Sequence, residues 1–170
     1  FTFQSVLISN LYRNFEMMEQ RKRIHDSDIS LKIHSRFKTP YPQIISDNTL
    51  LALHSPFFFF LPANLIYANP FSDLKGREKY LRKIESLAGE KLYEAFNSSP
   101  YGRIDGIIGR EKNGKIKCSI LTGMLLSVQP PTTFEFLLSN FRENHFDIER
   151  IGGYTLVILK PHSRGEASTN

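Results

Sequence analysis

The sequence predicts an α/β (or α+β) domain: a mixed sheet with helices packed on it and antiparallel hairpins toward the C-terminus. Three observations carry that reading. Helical and strand-like apolar spacings alternate along the 170 residues, as they do where helices cover a sheet. Two tight-turn pairs, Asn113-Gly114 and Gly152-Gly153, each separate runs of strand-like residues, the short-range pattern of an antiparallel hairpin. The composition is that of a packed globule, 41% hydrophobic and 23% charged, with 14 Phe and 7 Tyr to fill a core and no Trp. A chain of this length buries one core, so a single domain is expected over residues 1–161, part of a longer protein because the first residue is Phe1 rather than Met, with 162–170 as a mobile polar tail.

Taken in order, Val6, Leu7, Leu11, Phe15 and Met18 recur at spacings of three and four, predicting an amphipathic helix from about Gln4 to Arg23. Ile29, Leu31 and Ile33 alternate with Ser30, Lys32 and His34, which predicts a half-buried strand. Pro40 and Pro42 bend the chain after it. Asp47 or Asn48 caps a short helix ending at His54, and Phe57-Phe58-Phe59-Phe60-Leu61, fenced by Pro56 and Pro62, is a buried strand or wedge. Leu65 to Ala68 reads as an interior strand stopped by Asn69-Pro70. Ser72 or Asp73 caps a helix running to about Phe96, which Gly89 can break. Two strands flank Lys112-Asn113-Gly114, and the basic turn from Lys112 to Lys117 protrudes. Thr132 or Thr133 then caps a helix through Phe134, Leu137, Leu138 and Phe141. Phe146–Ile151 and Tyr154–Leu159 close the fold as a hairpin.

Several chemistries lack their residues. All ten glycines follow residue 75, so the first half has no loop in which backbone N–H groups can close on a phosphate. The later set Gly102, Gly106 and Gly109 has the wrong spacing for such a loop. His25, His34, His54, His145 and His162 are scattered without metal-ligand spacing, so no metal site is expected. Cys118 is the single cysteine, on a strand, and reads as a small buried side chain rather than a nucleophile. It forms no internal disulfide and argues for an intracellular setting, cytoplasmic, nuclear or organellar. The Phe57–Leu61 run is far short of the roughly 18 residues a membrane span requires.

The formal net charge of +5 suits an anionic partner. The candidates for contact with RNA or DNA are Arg21, Lys22 and Arg23 at the end of the first helix, and Arg110, Lys112, Lys115 and Lys117 on the central hairpin. Lys32, Arg36 and Lys38 are further cations, and Phe37 and Tyr41 are candidate stacking surfaces. On this reading the chain is a non-catalytic basic module that binds nucleic acid or docks on a partner protein in a larger assembly, with Phe57–Phe60 as an apolar contact.

A second reading starts from Asn64-Leu65-Ile66-Tyr67-Ala68-Asn69-Pro70-Phe71, an apolar strand ending in a polar residue, a proline and an aromatic. Over residues 64–160 the chain resembles the C-terminal half of class I S-adenosyl-L-methionine-dependent methyltransferases that act on amino groups. There a strand runs into an Asp/Asn-Pro-Pro-Phe/Tyr motif, and the sheet ends in an antiparallel last strand inserted beside its neighbours. The resemblance implies Asn69 as acceptor for the target amine, Pro70 as the rigid turn and Phe71 as the stacking platform, with S-adenosyl-L-methionine as cofactor. The second proline of the motif is missing, as is the glycine-rich loop that holds the cofactor's amino-acid end, which leaves an incomplete or cofactor-less domain as the form the resemblance takes.

Overall fold

The computed structural model of the chain describes residues 25–61, 73–120 and 132–161. The expected helix from Gln4 to Arg23, the expected strand Leu65–Ala68 with Asn69, Pro70 and Phe71, and the C-terminal tail lie outside the described residues. Within them, helices pack on a mixed sheet of seven strands, the α/β architecture the sequence predicts.

The first described element is a correction. His25–His34 is a helix, α1, and not a strand. Residues four apart share a face in both conformations, so Ile29 and Ile33 are buried either way, and Leu31 is the position that tells them apart. It is 56% exposed, whereas Ile33 is fully enclosed. Ser30 joins the inward face, its Oγ donating to the Leu51 carbonyl at 3.0 Å and lying in hydrogen-bond reach of Ser55 Oγ at 3.0 Å, which ties α1 to the next helix.

Strand β1 (Gln43–Ile45) follows the proline bend. Helix α2 (Leu51–His54) is shorter than the expected segment and has Leu50 as its N-cap without a side-chain cap bond, while Asn48 makes an Asx turn just before it, its Oδ1 accepting from the Leu50 N–H at 3.1 Å. The phenylalanine run gives strand β2 (Phe58–Phe59), parallel to β1. Phe57 and Phe60 turn into the core and Phe58 turns out, so the run is half buried rather than wholly so.

Asp73 caps helix α3 (Leu74–Ile84), its carboxylate accepting from the Gly76 N–H at 2.9 Å. The chain breaks before helix α4 (Gly89–Asn97), whose first residue has φ +57°, a conformation open to glycine at little cost. Strands β3 (Gly106–Lys112) and β4 (Lys115–Ile120) form the expected hairpin, with Asn113 at φ 55° and Gly114 at φ 71°, as a two-residue type I′ turn requires.

The second correction is β5 (Thr132–Leu137), a strand where a helix was expected, followed by one 3₁₀ turn over Leu138–Asn140. Phe134 and Phe136 both point into the core opposite Cys118 and Ile116 of β4, and a period of two satisfies both rings at once. Strands β6 (Phe146–Ile151) and β7 (Tyr154–Leu159) pair across Gly152-Gly153 as expected.

One stretch of the sheet runs β2-β1-β3-β7-β6, and β4 and β5 continue from the second half of β3. Strand β1 is parallel to β2 and β3, while β7 is antiparallel to both β3 and β6 and lies between them. Neighbouring residues alternate between two cores. Ile45, Ile107, Val157 and Leu159 pack with Leu81, Ile84, Leu92 and Phe96 of α3 and α4. Ile44, Ile108, Leu156 and Ile158 pack with Ile29 and Ile33 of α1 and Leu51 of α2. The sheet is therefore covered on both faces along β1, β3 and β7.

Candidate nucleic-acid interface

The strand register decides where the basic residues go. Arg110 is directly opposite Lys117 and Lys112 directly opposite Lys115, so all four side chains leave the same face of the hairpin. The intervening Ile116 and Cys118 go to the other face and into the core. On β5, Thr133, Glu135 and Leu137 pair with Ser119, Lys117 and Lys115 and share the outward face. Along β3 that face is continuous with Ile108, which α1 and α2 cover, but on β4 and β5 no described helix covers it. Of the seven candidate cations, the structure brings these four together, and Arg21, Lys22 and Arg23 lie outside the described residues.

Side chains two apart on a strand are about 6.6 Å apart and cross-strand pairs about 5 Å apart, so the four cations form a tight grid. Like charges directly opposite one another are unfavourable, and the hairpin has two such pairs. A single carboxylate relieves part of this. Glu135 receives Lys115 Nζ at 3.0 Å on Oε2 and Lys117 Nζ on Oε1. The hydrogen bond from Lys117, then that from Lys115, holds the Glu135 carboxyl below the ordinary glutamate range. Arg110 and Lys112 have no ion-pair partner among the described residues, because Glu111 between them points to the opposite face and binds Arg150 at 2.8 Å.

The outer edge of β5 is fastened to α3. Arg82 Nη1 donates to the Thr133 carbonyl at 2.7 Å with its guanidinium 4.7 Å from the centre of the Phe134 ring, and the Glu135 N–H donates to Glu85 Oε2 at 3.2 Å. A hollow of about 610 Å³ opens beside this seam, lined by Arg82, Ser86, Lys115, Thr133, Glu135 and Asn140 among others. Glu135 and Thr133 were not among the sequence candidates because 132–141 reads as helix, and Arg82 was not because its contact with Thr133 joins segments 51 residues apart. The alternation of Thr133, Glu135 and Leu137 with Phe134 and Phe136 is the signal that identifies them.

The other sequence candidates are scattered. A second hollow, of about 410 Å³, is lined by Arg36, Lys38, Lys160, Asp105 and Asp147 with Phe37 and Ile158 as apolar wall. Its charges largely cancel, since Arg36 pairs with Glu149 at 3.1 Å and Lys160 with Asp147 at 3.0 Å. Lys32 projects to solvent from α1. Phe37 is no stacking surface: it is buried edge-on against Phe57. Tyr41 is 61% exposed and lies against Phe58, itself 60% exposed. Cys118 is fully buried and burial pushes its thiol pKa far up, so it is no nucleophile in the folded chain. Among the described residues no three His, Cys, Asp or Glu side chains gather as a metal site. Nor is any described helix long and apolar enough to cross a membrane.

At the carboxyl end of β1, Asp47 Oδ2 accepts the Ser119 N–H of β4 at 3.1 Å, and Ser46 is buried. No protein-family model matches the chain, and no curated protein shows significant similarity to it.

Proposed function

We propose that the chain is a non-catalytic binding domain whose outward β3–β4–β5 face receives the phosphates of a nucleic acid. The observation that carries this reading is the register: two cross-strand pairs of cations on one face that no described helix covers, with one carboxylate bridging one pair's lysine to the other's. Phosphate contact needs convergent charge and no base-reading geometry. The face presents Leu137 but no aromatic side chain on β4 or β5, so base stacking is not its means of attachment, and binding is insensitive to sequence. The test is titration of the protein with short duplex DNA and RNA at two salt concentrations. Salt-steep binding that the Arg110→Ala, Lys112→Ala double variant loses is the expected result. Binding that survives the double variant unchanged, or no binding at the lower salt, refutes the reading.

The methyltransferase-like reading is the second, and one observation favours it. Strand β7 is inserted antiparallel between β3 and β6 in a sheet whose β1, β2 and β3 are parallel, the ending that the resemblance implies. On this reading Asn69, Pro70 and Phe71 form the amine-binding lip and S-adenosyl-L-methionine is the methyl donor. Calorimetric titration with S-adenosyl-L-methionine tests it: heat of binding together with methyl transfer that Asn69→Ala abolishes supports the enzyme, and silence in both removes it.

A further inference from the structure

We propose that Glu135 sets how many of the four grid cations a phosphate backbone can use, and so fixes the strength and salt dependence of binding; this rests on the reading of the β3–β4–β5 face as a nucleic-acid interface. The Glu135 carboxylate spans Lys115 and Lys117 with one oxygen on each. Its backbone is fastened independently, through its N–H to Glu85 on α3, so the carboxylate stands over the lysines without depending on them for its position. An incoming phosphodiester carries one negative charge, the same as the carboxylate it would replace. Exchanging one for the other gains no Coulomb energy and leaves Glu135 facing a phosphate of like sign. The single charge of Glu135 therefore cancels one of the two lysine charges, and the backbone is held by the one that remains together with Arg110 and Lys112, which have no ion-pair partner among the described residues.

The consequence is countable. Each phosphate neutralised on duplex DNA contributes about −0.9 to the slope of log affinity against log salt, so three net charges give about −2.7 and four give about −3.6. Raising salt fourfold, from about 50 to 200 mM, then weakens the wild type about 40-fold and a protein with all four cations free about 150-fold.

The experiment is a salt series of duplex DNA binding by the wild type, Glu135→Gln and Glu111→Gln. Both variants add one unit of positive charge, but Glu111 binds Arg150 on the opposite face of the sheet. The expected result is a slope near −2.7 for the wild type and for Glu111→Gln, and near −3.6 with tighter binding for Glu135→Gln. Equal slopes for wild type and Glu135→Gln, or equal steepening in both variants, overturns the role of Glu135 while the interface stands. Absence of binding by the wild type and Glu135→Gln together overturns the interface itself. Because glutamine keeps an acceptor for a lysine and the backbone bond to Glu85 is untouched, the variant keeps the fold, and its circular dichroism spectrum matches that of the wild type.

Discussion

Replacing Ile33 and Leu31 separately by alanine distinguishes a helix from a strand at residues 25–34. In a strand both would lie on the same inward face as Ile29 and cost similar amounts. In α1 they do not. Ile33 is fully enclosed within the cluster formed with Ile29, Phe37, Ile44, Ile108 and Leu156, so Ile33→Ala removes buried methylenes and leaves a cavity, at a cost of about 2–5 kcal/mol. Leu31 is 56% exposed, and alanine is the better helix former, so Leu31→Ala changes stability by about 0.5 kcal/mol or less. For a chain of this size each kcal/mol moves the melting temperature by about 2–4 °C, which makes the Ile33 effect about 4–20 °C and the Leu31 effect about 2 °C or less. Urea denaturation followed by circular dichroism gives both values, with the slope of each transition checking that the unfolded states are alike. Losses of similar size for the two variants would refute the helical face and the packing built on it.

Two further outcomes follow from the site and the core. The Glu135 carboxyl, held down by Lys117 and Lys115, stays ionised in the folded chain below the ordinary glutamate range, while in the unfolded chain it takes up its proton there. Its contribution to stability is present above the unfolded pKa and is lost as pH falls through the folded one, so the stability gap between wild type and Glu135→Gln narrows across that window; a gap independent of pH would show that the lysines do not act on it. Cys118, enclosed and with its thiol pKa raised by burial, reacts with iodoacetamide only as fast as the protein opens. Alkylation in native buffer at the rate seen in urea would contradict the packing of β4 against α3 and α4.

The particular places where sequence and structure part company share a cause. Ile29 and Ile33 satisfy a period of two and a spacing of four equally, and the pattern contains no residue that breaks the tie without knowledge of which side is covered. Thr132 to Phe141 holds apolar residues at 134, 137, 138 and 141 for a helix and at 134 and 136 for a strand, and pairing with β4 settles the matter. By contrast, Asp73, Gly89, Asn113-Gly114 and Gly152-Gly153 act through their own backbones, and each stands where the sequence places it. The candidate site divides in the same way. The hairpin and its four cations are legible because turn chemistry and charge are local. Glu135 is not, because it reaches Lys115 and Lys117 only through the β4–β5 pairing.

By itself, then, the sequence determined the α/β class, the two hairpins, the helix cap at Asp73 and the absence of a glycine cradle in the first half. Those are properties of short stretches whose dihedral preferences and hydrogen-bonding groups travel with the residues. What depended on tertiary structure is that α1 and β5 take the conformations they do, that α1 and α2 cover one part of the sheet while no described helix covers the outward face of β4 and β5, and that one carboxylate bridges two of the four cations there. Each of those depends on which segments meet across tens of residues. Burial and ion pairing are energies of neighbours in space, and a linear pattern fixes them only after the sheet has chosen its register.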